Sequence, residues 1–132
     1  MFEILMKAYA VILGIVLVLN AGAWLRFDGK LWFLVYEFVS MGYYIFLIFA
    51  FYSDTMYQLL PLWALLPVIP FLACDVWFTT RQDIKHLCPG IPDEELPPGT
   101  VDTAMALSVA LNAPAYILAC VFLFDKIVKI IK

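Results

Sequence analysis

Two acidic residues, Glu37 and Asp75, lie inside long apolar stretches of the sequence. A carboxylate among hydrocarbon costs several kcal/mol unless it is paired, hydrated or protonated, so such a residue usually faces a helix interface or a wet cavity. In that setting it can carry a proton or bind a cation. The structural alternative is a clasp, in which Glu37 hydrogen-bonds to Ser108, Asn112 or a basic residue.

Other polar residues at comparable depth could complete a site with these acids. They carry amide or hydroxyl groups, and they are Asn20, Tyr44, Ser108 and Asn112. By helix rise, Glu37 lies about 8 Å and Asp75 about 5 Å from the same edge of the apolar zone, so we expect a shallow polar vestibule there. Its expected rim is basic and consists of Arg26, Lys30, Arg81, Lys85 and His86. Aromatic residues such as Tyr36 and Phe71 are expected to pack.

Most other chemistry has no support in the residues. His86 is the single histidine, so paired histidines cannot hold a haem, and no metal or other cofactor is expected. The three cysteines form no Cys-x-x-Cys pair, and phosphate-loop and nucleophile motifs are missing, which favours a protein that is not an enzyme. The net charge of −3, without a dense basic run, excludes nucleic-acid binding.

The elements that must position these residues follow from composition. The chain has 132 residues, of which 65% are hydrophobic and 14% charged, and its mean hydropathy is +0.95. A soluble domain this short cannot bury so much apolar surface. About 20 apolar residues cross about 30 Å of hydrocarbon as a helix. The sequence therefore predicts an all-α integral membrane four-helix bundle, a single domain with helices at 4–24, 31–51, 57–87 and 103–124.

Prolines shape the second half of the chain. The segment 88–102 between the third and fourth helices contains Pro89, Pro92, Pro97 and Pro98, which predicts a stiff loop. Pro67 and Pro70 fall inside the third helix, where a proline removes a backbone hydrogen bond. We therefore expect the third helix to be kinked or broken.

The topology is only partly determined by the sequence. The first stretch resembles a secretory signal with Ala21-Gly22-Ala23 as a cleavage site, but Glu3 weakens its positive character, so we expect a retained first span. Four spans put both termini on one side of the membrane. Basic residues number four on each side, and the lysine-containing C-terminal segment favours a cytoplasmic location for the termini. The basic residues are Lys7, Lys126, Lys129 and Lys132 against Arg26, Lys30, Arg81 and Lys85.

Three classes of function fit these patterns. The first expectation is a non-catalytic membrane subunit that assembles, anchors or stabilises a larger complex. The second is a small oligomeric transporter or channel that uses Glu37 and Asp75 in a proton or cation path. The third is a lipid-headgroup-binding protein or a membrane enzyme. The expected partners are membrane lipid together with other membrane subunits or further copies of the same chain.

Overall fold

The computed structural model describes residues 1–26, 29–81 and 100–132, with the side chains at 79–81, 100–106 and 108 outside this description. The described chain is all-helical, as predicted, and has no strand in these ranges. It forms six helical segments, which are α1 (Phe2–Arg26), α2 (Leu31–Phe51), α3 (Asp54–Leu59), α4 (Leu62–Leu65), α5 (Val68–Arg81) and α6 (Thr100–Ile131).

The third predicted helix is three segments rather than one. Leu60 is extended, with a ψ of 112°, because a residue before proline avoids the helical region. Pro61 then precedes α4, and a further break separates α4 from α5. Pro70 has no N–H for the Leu66 carbonyl, which accepts instead from the Ile69 N–H at 3.2 Å. The predicted break at Pro67 and Pro70 is therefore present. The last residues of the predicted third helix, 82–87, lie outside the described ranges.

The fourth helix is longer than predicted. It begins at Thr100, inside the predicted loop 88–102, and it continues beyond Phe124 to Ile131. The expected end rested on the change from apolar to charged residues at Asp125. Lys129 pairs with Asp125 one turn earlier, at 3.1 Å, and this pair supports the added turns. Residues 88–99 of the predicted loop lie outside the described ranges.

The helices alternate in direction, so their ends gather at two places. Glu3 of α1 interacts electrostatically with Tyr52, which follows α2, and Lys129 near the end of α6 contacts Tyr57 of α3. We call this the terminal end. At the opposite end, Phe33 of α2 packs against Phe78 of α5 with ring centroids 4.9 Å apart.

The core lies between α2, α4, α5 and α6, with one stripe from α1. That stripe recurs at every third or fourth residue and consists of Met6, Ala10, Leu13, Leu17 and Ala21. The largest fully buried side chains are Tyr44, Leu47, Ile48, Leu65, Val68 and Phe122. These residues form the packed centre of the bundle. They hold together α2, α5 and α6, the helices that carry the polar side chains described below.

The outward faces of the helices are apolar. Exposed fractions reach 72% at Ile4, 73% at Trp63 and 68% at Phe124. By length and composition, α1 and α2 are each long and apolar enough to cross a membrane. The combined α4–α5 segment is a shorter apolar stretch.

Candidate functional site

Glu37 lies in the first half of α2 and lines a cavity of about 170 Å³ between α1, α2 and α6. Asn20 of α1 and Asn112 of α6 line the same cavity, which we call the Glu37 cavity. The other lining side chains are apolar and consist of Leu13, Val16, Leu17, Met41, Leu107 and Leu111. Three polar candidates from three different helices are thus brought together.

The Glu37 carboxylate has no hydrogen-bond donor among the side chains that the structure describes. Ser40, one turn later, donates instead to the backbone carbonyl of Glu37 at 3.3 Å. Glu37 is partly buried, and a carboxylate in such surroundings needs water, a proton or a counter-charge. The cavity provides room for one of these, since a water molecule occupies about 30 Å³ in the liquid.

Asp75 of α5 is held by Tyr36 of α2. The Tyr36 hydroxyl donates to Asp75 Oδ1 at 2.6 Å and lies 3.3 Å from the Phe71 carbonyl oxygen. The Tyr36 ring packs against the rings of Phe78 and Phe71, with centroids 5.1 and 6.2 Å away. The position of the Tyr36 side chain is therefore set by ring packing and by hydrogen bonding. Its hydroxyl in turn holds the Asp75 carboxylate in place.

Tyr116 of α6 lies near Asp75. Its side chain interacts electrostatically with Asp75, and Asn112 lies one turn earlier on the same helix. Glu37 and Asp75 are also close enough to interact electrostatically. Glu37, Asn112, Tyr116, Asp75 and Tyr36 are thus neighbouring polar side chains, and we call this group the polar network.

Tyr44 belongs to the Asp75 side of this network. It is 1% exposed, and its ring packs edge-on against Tyr116 with centroids 5.0 Å apart. It interacts electrostatically with Asp75, but it does not line the Glu37 cavity. Its hydroxyl has no hydrogen-bond partner in the described part of the protein. A buried hydroxyl is normally satisfied, so this position suits a bridging water.

The remaining predicted residues are only partly described. Arg26 ends α1 and is exposed, while Lys30 precedes α2 and its carbonyl accepts from Trp24 Nε1 at 3.2 Å. Arg81 ends α5, but its side chain and that of Ser108 are outside the description, as are Lys85 and His86. In the described ranges, no three histidine, cysteine or acidic side chains cluster as metal ligands, and Cys74 and Cys120 are free thiols.

Two residues of the network were not among the predicted site residues. Tyr36 was expected to pack, which it does, but its hydroxyl also binds Asp75. Tyr116 carried one available signal, since it lies four residues after Asn112 and therefore on the same helix face. Aromatic rings inside apolar helices usually pack, and only the structure shows where their hydroxyls point.

Comparisons with protein-family models, with curated proteins and with solved structures give no match.

Proposed function

We propose that the protein is an integral membrane protein that crosses the bilayer four times, through α1, α2, the broken α3–α5 segment and α6. Helix rise gives α1 a length of about 38 Å and α2 a length of about 31 Å, enough to span about 30 Å of hydrocarbon. The exposed apolar side chains on their outward faces support the same arrangement, since lipid is the solvent that suits them. In this arrangement the terminal end faces the cytoplasm.

The topology is tested with single cysteines in a background where Cys74, Cys88 and Cys120 are replaced by serine. An impermeant maleimide should label Thr55→Cys and Lys132→Cys from one side of sealed vesicles and Arg26→Cys from the other. Thr55 and Arg26 are both exposed at opposite ends of the bundle, so they form a matched pair. Labelling of both from the same side would overturn the four-pass arrangement.

The role that the geometry supports best is the passage of protons or small cations. The observation that carries this proposal is the position of the Glu37 carboxylate. It faces a cavity, and no described side chain donates a hydrogen bond to it. It also interacts electrostatically with a second acid, Asp75, on another helix. Ionisable groups inside apolar helices mark ion and proton pathways in membrane proteins. The acid pair attracts positive charge, and Asn112 lines the cavity that Glu37 faces.

The break between α4 and α5 is not assigned to the pathway. Broken helices in transporters expose backbone carbonyls to substrate. Here the Ala64 carbonyl accepts from the Tyr43 hydroxyl at 2.7 Å, and the Leu66 carbonyl accepts from Ile69. Because these two carbonyls beside the break are bonded within the protein, the pathway is assigned to side chains.

The test is ion flux in reconstituted vesicles. Purified protein is placed in phosphatidylcholine and phosphatidylglycerol vesicles loaded with a pH-sensitive dye, and a membrane potential is imposed with potassium and valinomycin. Wild-type protein should acidify or alkalinise the interior according to the sign of the potential, and Glu37→Gln should reduce the rate at least tenfold. The matched control is Glu3→Gln, because Glu3 is exposed on α1, pairs with Lys7 one turn later and does not line the Glu37 cavity.

Flux in Glu37→Gln equal to wild type would contradict the proposed pathway. The same holds if wild-type protein gives no flux of protons, sodium or ammonium above that of empty vesicles.

The second candidate is a non-catalytic subunit of a larger membrane complex. A specific observation favours it, namely an apolar groove of about 650 Å³ between α5 and α6. Val76 and Phe124 are exposed in this groove, and a helix of another subunit could fill it. Native mass spectrometry of protein extracted from its own membrane tests this role. A defined stoichiometric complex with an unlike chain supports it, and a monomer or homo-oligomer contradicts it.

A further inference from the structure

We propose that the Glu37 cavity is a binding site for a small primary ammonium ion that carries a short alkyl chain. This inference rests on the proposed function and deepens it, because it names the class of cation that the pathway takes.

The charge of the lining favours a cation. Glu37 is the one ionisable side chain among the described residues that line the cavity, and Asp75 adds a second acid in electrostatic contact with it. No described lysine or arginine lines the cavity. An anion placed there would face two acids, whereas a cation would satisfy the carboxylate that has no described donor.

The positions of the acceptors favour an ammonium that bears N–H groups. Glu37, Asn20 and Asn112 offer oxygens from three different helices, and a primary ammonium has three N–H donors. An amide has both N–H donors and a carbonyl acceptor, so Asn112 can bond to Tyr116 and still accept from the ligand. A quaternary ammonium is normally held by aromatic rings, and no aromatic residue is among the described lining side chains.

The apolar lining and the volume of the Glu37 cavity indicate the polarity and the size of the rest of the ligand. Leucines and Met41 surround the polar residues, which suits a hydrocarbon chain and not a hydrated metal ion. The cavity measures about 170 Å³. An apolar protein cavity of about 150 Å³ accommodates benzene, so an amine with about four or five carbons fits. Asn20 is exposed, and the ligand can enter beside it.

The binding experiment uses butylammonium as the probe and isothermal titration calorimetry on the detergent-purified full chain. Wild-type protein should bind butylammonium saturably, with at least tenfold lower affinity for tetramethylammonium and for sodium. Glu37→Gln should weaken butylammonium binding at least tenfold, and Asn20→Ala at least threefold. Glu3→Gln is the matched control and should bind as wild type does. Thermal unfolding of each variant verifies that it is folded.

Several results would overturn the inference. One is no saturable binding by folded wild-type protein, and another is equal binding by folded Glu37→Gln. Equal affinity for tetramethylammonium would overturn the assignment to a primary ammonium. The proposed function fails separately: if butylammonium binds but no proton, sodium or amine flux depends on Glu37, the site stands without a transport role. If flux depends on Glu37 but butylammonium does not bind, the ligand class is wrong and the pathway stands.

Discussion

The Tyr36 hydroxyl donates a hydrogen bond to Asp75 Oδ1 across 2.6 Å, and this bond ties α2 to α5. Tyr36→Phe keeps the ring against Phe78 and removes only the hydroxyl. We expect it to destabilise the protein by about 1.5–3 kcal/mol, the range for hydrogen bonds to charged groups. Reversible unfolding in mixed detergent micelles measures this loss. Tyr52→Phe is the matched control, and equal stability of the two variants would contradict a clasp at Asp75.

A second prediction concerns the turn between α1 and α2. A Cβ atom on Gly29 would lie 2.1 Å from Trp24 Nε1, while one on Gly22 would meet nothing within 4 Å. The indole is held in place by its hydrogen bond to the Lys30 carbonyl. Gly29→Ala should therefore cost about 1–3 kcal/mol through overpacking. Gly22→Ala should leave stability unchanged or raise it, because alanine favours the helix.

The measurement for this pair is the melting temperature of the two variants in the same detergent. The explanation fails if Gly29→Ala melts at or above the temperature of Gly22→Ala.

The third prediction compares a buried phenylalanine with an exposed one on the same helix, α6. Phe122 is 0% exposed and packs against Phe51 and Tyr57, whereas Phe124 is 68% exposed. Phe122→Ala should cost about 3–5 kcal/mol, since it leaves a cavity in the core. Phe124→Ala should change stability by no more than about 0.5 kcal/mol. Unfolding in detergent measures both, and a larger loss at Phe124 would show that α6 is rotated from the described position.

The fourth prediction concerns the end of α6. Lys126 donates to the Tyr57 carbonyl, Lys129 donates to the Tyr57 hydroxyl at 2.7 Å, and both ammonium groups lie about 4.5 Å from the ring centroid. Tyr57→Leu removes the ring and the hydroxyl together. Loss of an exposed cation–π contact is worth about 1 kcal/mol. Amide exchange over residues 126–131 should therefore become about fivefold faster.

Hydrogen exchange followed by mass spectrometry measures this effect. Tyr57→Phe retains the ring and loses only the hydroxyl, so its exchange should lie between those of wild type and Tyr57→Leu. Unchanged exchange in Tyr57→Leu would show that Lys129 and Asp125 alone hold the end of the helix.

Much of the helical architecture can be predicted from local sequence. The bounds of α2, Leu31–Phe51, are those predicted, because a long apolar run lies between residues that favour turns. The break near Pro67 and Pro70 also follows locally, since proline lacks the N–H that a helix requires. The separation of α3 from α4 at Pro61 and the extension of α6 to Ile131 were missed. The extended end of α6 contacts Tyr57, which is distant in sequence.

The candidate site can also be predicted only in part from the sequence. Residue type and depth select Glu37, Asp75, Asn20, Asn112 and Tyr44 as candidate polar groups. They were not enough to predict that Glu37 faces a cavity with the two asparagines, while Asp75 is bound by Tyr36. They also did not single out Tyr116, whose ring could equally have packed against apolar side chains.

The sequence by itself determined that the chain is helical, where its apolar segments lie and which few polar groups those segments carry. These properties depend on each residue and its near neighbours along one helix. The tertiary structure alone decided which polar groups meet, because a partner across the bundle is set by the rotation of each helix about its axis. A turn of one helix by a single residue, about 100°, would point Glu37 or Tyr36 elsewhere without changing the hydropathy of either segment.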